Sequence, residues 1–92
     1  MKKQKSKPKV KVFTSSKVPN CLYCLRAKDY LELLNLKYKE IDISKDRIEA
    51  SRMFKKTSSL KLPQIEIDDK ILVGFNKKKI NTLLSEKIKI SP

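Results

Sequence analysis

Histidine is absent from this chain, cysteine occurs twice, glycine once, and acidic residues number ten against 23 lysines and arginines. Each shortage excludes something. A closed structural zinc site needs four ligands, usually Cys or His, so one copy of this chain cannot complete it with Cys21 and Cys24 alone. A single glycine beside four prolines argues against a long flexible linker. No stretch approaches the roughly 20 apolar residues of a membrane span, so no membrane role is expected. The lysines before Val10 imitate the head of a signal peptide, but only Val10, Val12 and Phe13 follow where an apolar segment is required. A cytoplasmic location is expected, where a cycling disulfide is a more natural use of a cysteine pair than a permanent one.

What is present fits one small domain. The chain has 92 residues, of which 39% are hydrophobic, and a chain of this size buries only about 60 to 65% of its unfolded surface. Internal repeats are absent. The formal net charge of +13 raises nucleic acid as a partner, because clustered cations release counterions from phosphate backbones. The basic residues are mostly lysine, with only Arg26, Arg47 and Arg52 as arginine, and they are spread along the chain rather than gathered on one helix. A basic nucleic-acid-binding module is therefore an alternative reading and not the expected one.

Residues 1–8 hold four lysines and nothing apolar after Met1, which predicts a mobile basic tail ahead of a domain at 9–92. From Lys9 to Thr14 the alternation of Lys and Val before Phe13 predicts a strand. Ser15 to Asn20 is turn chemistry, with Asn20 as a plausible helix cap. Leu22 to about Leu36 carries helix-spaced apolar residues, with Arg26, Asp29 and Glu32 available for solvent. Tyr38 to Ile43 alternates as a second strand, and Ser44 or Asp46 then signals a helix running to about Lys56. That helix is expected to bury Ile48, Met53 and Phe54 and to turn Arg47, Glu49, Arg52 and Lys55 outward. Gln64–Ile67 and Ile71–Val73 read as a hairpin around an Asp68-Asp69-Lys70 loop, ended by Gly74. Lys78 to Lys89 is the last helix, through Ile80, Leu83, Leu84 and Ile88. The order implies an α/β domain, a mixed four-stranded sheet packed by three helices.

The chemistry converges on Cys21 and Cys24, spaced C-x-x-C at the predicted strand-to-helix junction. A sulfur at a helix entrance faces backbone N–H groups with no intrahelical partner and the positive end of the helix dipole, which favours its thiolate. Cys24, three residues on, lies on the same face and within reach for a disulfide. Buried structural cysteines or a shared metal site remain alternatives, with a redox pair the preferred reading.

Val12-Phe13-Thr14, Cys21-Leu22-Tyr23-Cys24, Ile41-Asp42-Ile43, Leu62-Pro63-Gln64-Ile65 and Val73-Gly74-Phe75, in this order and spacing, resemble the glutaredoxin family over about residues 9–86. The resemblance implies a thioredoxin fold, thiol-disulfide oxidoreductase activity and a cis Leu62–Pro63 bond facing the cysteines. It implies that the backbone of Leu62 pairs with a peptide or glutathione like an added strand. Lys61 and Gln64 would flank that strand, and Tyr23 would stand between the sulfurs. Cys21 is then the nucleophile and Cys24 the resolving thiol, with Lys17, Arg26 and the helix N-terminus as candidates for lowering the pKa of Cys21. Lys17, Tyr23, Lys61, Leu62, Pro63, Gly74, Phe75 and Asn76 are the expected substrate or glutathione contacts. Lys77, Lys78 and Lys79 stand by to attract carboxylates.

Three features depart from the family pattern. Leu22 stands where proline is usual, so the reduction potential is open between about −270 and −200 mV. The Ser15–Asn20 loop is longer than usual. The segment after Val73 lacks the second glycine and the acidic residues that hold the ammonium of glutathione. Glutathione is therefore expected as a weakly held co-substrate, with no tightly bound cofactor and no metal. The Gly74-Phe75 pair also resembles redoxins that take electrons from thioredoxin reductase and reduce ribonucleotide reductase, so those two are expected partners beside other protein disulfides. A monomer is expected. The resemblance leaves one further alternative, a carrier in which Cys21 from two copies and two glutathiones hold a 2Fe-2S cluster.

Overall fold

The computed structural model describes the backbone of residues 8–88 and the side chains of residues 8–85. Nearly all of the expected basic tail lies outside these residues, as does Lys89 at the expected end of the last helix. In chain order the elements are β1 (Val10–Thr14), α1 (Leu22–Leu33), β2 (Lys39–Asp42), α2 (Arg47–Thr57), β3 (Gln64–Ile67), β4 (Lys70–Val73) and α3 (Lys77–Ile88). They build one four-stranded sheet in the order β2-β1-β3-β4. β1 and β2 are parallel and joined through α1, while β3 runs antiparallel to both β1 and β4. The expected element order and sheet are present.

The two-residue period of β1 sorts its side chains onto two faces. Val10 and Val12 join Ile65 and Ile67 of β3 under α1 and α3, where Ala27, Leu31, Ile80, Leu83 and Leu84 complete a buried cluster. Burying each of the larger side chains contributes about 1.5 to 3 kcal/mol. Phe13 points the other way and packs with Ile41 and Met53, a smaller cluster under α2 that Ile43, Leu62 and Ile71 border.

α2 departs from the expectation. Met53 is fully buried, but Ile48 is 80% exposed and Phe54 46% exposed, whereas Arg52 and Glu49 face the sheet. The reason lies in the strands beneath, whose residues on this face include Lys11 and Glu66. Arg52 forms a two-pronged ion pair with Glu66 and also bonds Glu49 at 3.1 Å, which in turn meets Lys11 at 3.4 Å. Buried carboxylates need partners. The helix therefore rotates its charges inward and leaves two apolar side chains in water. Asp46, one of the two expected start signals, is the N-cap, its Oδ1 accepting the Glu49 N–H at 3.0 Å.

α1 ends at Leu33 rather than Leu36. Asn35 adopts a left-handed φ of 59°, and the N–H of Leu36 reaches back to the carbonyl of Leu31 at 3.0 Å. This cap keeps Leu34 and Leu36 against the core, so the apolar spacing outlasts the helix. Leu25 and Leu33 stay exposed. The hairpin turn is shorter than expected, since Lys70 already pairs with Ile67 in β4. Asp68 takes the left-handed position, and its Oδ1 accepts the Lys9 N–H at 3.0 Å.

Candidate active site

From Thr14 the chain leaves the sheet through a loop whose Ser15 Oγ accepts the Lys17 N–H at 3.1 Å. Asn20 is not the helix cap. It takes a left-handed φ of 59°, a conformation Asn tolerates better than most residues, and so hands the capping position to Cys21. The Sγ of Cys21 accepts the Cys24 N–H at 3.2 Å. The two cysteines are joined in a disulfide with their Cα atoms 5.2 Å apart. Cys21 is partly exposed whereas Cys24 is only 5% exposed. The outer sulfur thus has a backbone donor and stands at the positive end of α1. The inner one is shielded from large reactants.

The second half of the site comes from β3 and β4. The Leu62–Pro63 bond is cis, as expected. Because Phe13 pairs with Gln64, Pro63 lies level with Thr14, at the end of the sheet where β1 hands over to Cys21. Leu62 packs on the Phe13–Met53 cluster. Gln64, expected merely to flank this segment, shapes it: its Nε2 donates to the carbonyls of Ser59 at 2.8 Å and Lys61 at 3.0 Å. The carbonyl of Pro63 accepts the Gly74 N–H at 2.7 Å. Gly74 sits at φ 86° with open space where a Cβ would stand, so its backbone angle is what calls for glycine.

Beyond it, Phe75 meets Tyr30 of α1 edge to face at 6.0 Å. Asn76 caps α3, its Oδ1 accepting the Lys79 N–H at 3.0 Å. The structure thus ties Pro63, Gly74, Phe75 and Asn76 into one corner held against α1. Lys17, Lys61 and Tyr23 are exposed. The Arg26 guanidinium lies 5.7 Å from the centre of the Tyr23 ring.

On the opposite flank an open cleft of about 470 Å³ is lined by Thr14, Ser16, Cys21, Cys24, Lys28 and Glu40, among others. None of the eight expected substrate contacts lines it. The Thr14 hydroxyl donates to Glu40 at 2.9 Å, and Lys28 pairs with the same carboxylate at 3.2 Å. Asp42, also in the cleft, accepts from the hydroxyl and N–H of Ser44 and from the Ser16 N–H. Those hydrogen bonds, Ser44 first, hold its carboxyl well below the usual carboxylate range. No feature of the sequence reading had placed Thr14, Glu40 or Asp42 beside the sulfurs. The strand alternation at Glu40–Asp42 was the available signal, once β2 is known to neighbour β1. Among the described residues no group of three or more His, Cys, Asp or Glu is placed to hold a metal.

Four likenesses to known proteins bear on this geometry. The glutaredoxin family model matches residues 10–72. The chain is 30% identical over 77 residues to a glutaredoxin-like protein in the rubredoxin operon of Clostridium pasteurianum, covering 84% of this chain and 99% of that protein. A crystal structure of a thioredoxin-like protein superposes with a TM-score of 0.71 at 32% identity, over 83% of this chain and all of the other (100%). The Escherichia coli glutaredoxin-like protein NrdH-redoxin shares the fold with a TM-score of 0.64 at 22% identity, over 91% and 99% of the two chains.

Proposed function

Because the chain belongs to the glutaredoxin family, we propose that it reduces disulfides of proteins through Cys21 and Cys24. The observation that carries this reading is the inequality of the two sulfurs: Cys21 partly exposed at the cap of α1, Cys24 buried behind it and bonded to it. In the cycle, the Cys21 thiolate attacks one sulfur of the substrate disulfide and the other sulfur leaves as a thiolate. Cys24, as thiolate, then attacks Cys21 Sγ, and the second substrate sulfur leaves. Two electrons pass to the substrate, and the two thiol protons of the enzyme balance its two new thiols. We propose that the cis-Pro63 segment, at the same end of the sheet as Cys21, pairs with the backbone of the substrate peptide.

For the electron donor we propose thioredoxin reductase over glutathione. Asn76 spends its side-chain oxygen on capping α3, and the neighbouring Lys77, Lys78 and Lys79 bring no carboxylate for a glutathione ammonium. Losing one charge-assisted hydrogen bond corresponds to roughly ten- to a hundredfold weaker binding. The buried Cys24 beside Cys21 supplies a resolving thiol, which favours the oxidoreductase reading over a cluster carrier.

The test has two parts. Cys21→Ser should abolish reduction of every disulfide, while Cys24→Ser should retain turnover of a glutathione mixed disulfide and lose that of a protein disulfide. Equal loss in both variants on the mixed disulfide would overturn the division of roles. The oxidised protein should be reduced faster by thioredoxin reductase with NADPH than by millimolar glutathione, and the reverse order would make it a glutathione-dependent enzyme.

A further inference from the structure

The charges at the site are divided by flank. Residues 15–27, 57–65 and 73–85, which supply the loop and first turn of α1, the cis-proline segment and the β4–α3 corner, contain six Lys or Arg and no Asp or Glu, and Asp29 stands three residues beyond Arg26 on α1. The acidic side chains near the disulfide, Glu40 and Asp42, lie on the β2 flank and line the cleft there with Lys28. Asp68 and Asp69 form the hairpin turn at the far end of the sheet.

On the α3 flank the cations are arranged along a stripe. Tyr23, Arg26 and Tyr30 follow at i, i+3 and i+7 on α1 and so share one helix face. Arg26 lies over the Tyr23 ring, and the Lys77 Nζ lies 5.3 Å from the centre of the Tyr30 ring. Tyr30 is in turn packed on Phe75. The aromatic rings favour these positions of the two cations by cation–π attraction. Exposed Lys61 precedes Leu62 and the cis bond. Leu22, 53% exposed, adds apolar surface next to Cys21.

Resting on the oxidoreductase reading, we propose that this stripe selects the substrate: a protein disulfide whose flanking residues on the α3 side are acidic. Complementary charge raises the encounter rate and penalises wrong partners. Interleaved cations and aromatic rings also suit nucleic acid, but the stripe borders a reactive disulfide, which gives a sulfur-bearing partner a reason to bind there.

The experiment uses full-length protein, reduced beforehand and freed of reductant, in single turnovers against three synthetic peptides. Each peptide carries one intramolecular disulfide flanked by Asp, by Ser or by Lys. At low ionic strength the Asp peptide should be reduced at least about tenfold faster than the Lys peptide, with the ratio collapsing towards one near 0.5 M salt, where the screening length is only about 4 Å. Arg26→Ser/Lys61→Ser/Lys77→Ser should lower the ratio by about threefold or more. Lys9→Ser/Lys37→Ser/Lys70→Ser removes the same charge from the far end of the sheet and should preserve the ratio. Equal rates on all three peptides, or equal loss of preference in both triple variants, would overturn the proposal and leave the oxidoreductase reading intact. Reduction of none of the peptides would overturn both. A single-stranded oligonucleotide that blocks turnover more strongly than an unreactive Asp peptide of equal charge would also overturn it, by marking the stripe as a phosphate surface.

Discussion

Under α1 and α3 the sheet presents Val10, Val12, Ile65 and Ile67 to other apolar side chains, whereas under α2 it presents Phe13 together with Lys11 and Glu66. Both faces come from the same two strands, one residue out of phase. The apolar face needs only volume and shape. The α2 face needs charges to find each other: Glu66, with its side chain 5% exposed, meets both Arg52 and Lys56. Each face also carries one half of the site. The buried stripe of α1, Cys24, Ala27 and Leu31, seats the disulfide on the apolar side, while Leu62 of the cis-proline segment packs on the Phe13–Met53 cluster of the other. The two halves of the site should therefore respond to different perturbations.

The largest effect is expected from Leu31→Ala. Leu31 is fully buried in the apolar cluster, so removing it should cost about 2 to 5 kcal/mol, read as a lower urea midpoint at every pH between 5 and 8. Arg52→Ala should come next, at about 2 to 3 kcal/mol. Breaking a buried pair costs more than that, but Arg52 is one-third exposed (33%) and Lys56 remains 3.7 Å from Glu66. A midpoint unchanged by Arg52→Ala would show that the α2 face is held by Phe13 and Met53 alone.

pH should separate the faces by sign. On the α2 side, the hydrogen bond from Arg52 holds the Glu49 carboxyl below its ordinary 4.5. A carboxyl depressed in the folded state contributes stability that is present above its unfolded value and lost as pH falls through the folded one. Unfolding measured from pH 6 downward should show stability declining below about pH 4.5, and Glu49→Gln should flatten that decline. On the apolar side, burial and then the hydrogen bond to Glu32 raise the Tyr38 hydroxyl from 10.0 to about 12. Its contribution is complete below pH 10 and disappears as pH rises through 12. An ultraviolet titration should show a tyrosinate step near pH 12 that Tyr38→Phe removes. The smallest effect belongs to Ile48→Ala, which should shift stability by no more than about 0.5 kcal/mol, because the side chain is 80% exposed. A loss above 1.5 kcal/mol would mean that α2 is seated differently.

The apolar face was legible in its strands and in α3, though not in α1, where Leu25 and Leu33 stay exposed. Alternation at Val10–Val12 and Ile65–Ile67 and the helical spacing of Ile80, Leu83 and Leu84 report burial directly, because an apolar side chain needs no particular partner. The α2 face was not. Ile48 and Phe54 carry the same apolar label as Met53, and only the positions of Lys11 and Glu66 on neighbouring strands decide that Arg52 turns inward instead. The site divides the same way. The C-x-x-C spacing and its place at a helix entrance identify the reacting sulfurs, since the chemistry is local to four residues. Sequence alone determined the order of elements, the apolar core and the redox pair, all consequences of local period and spacing. Tertiary structure decided that Asn20 yields the cap to Cys21, that Gln64 clamps the cis-proline loop, that Glu40 and Asp42 line one flank and that Arg26 and Lys77 stand on aromatic rings along the other. Those are pairings between residues far apart in the chain, and a polar or charged side chain takes its role from a partner that only the fold supplies.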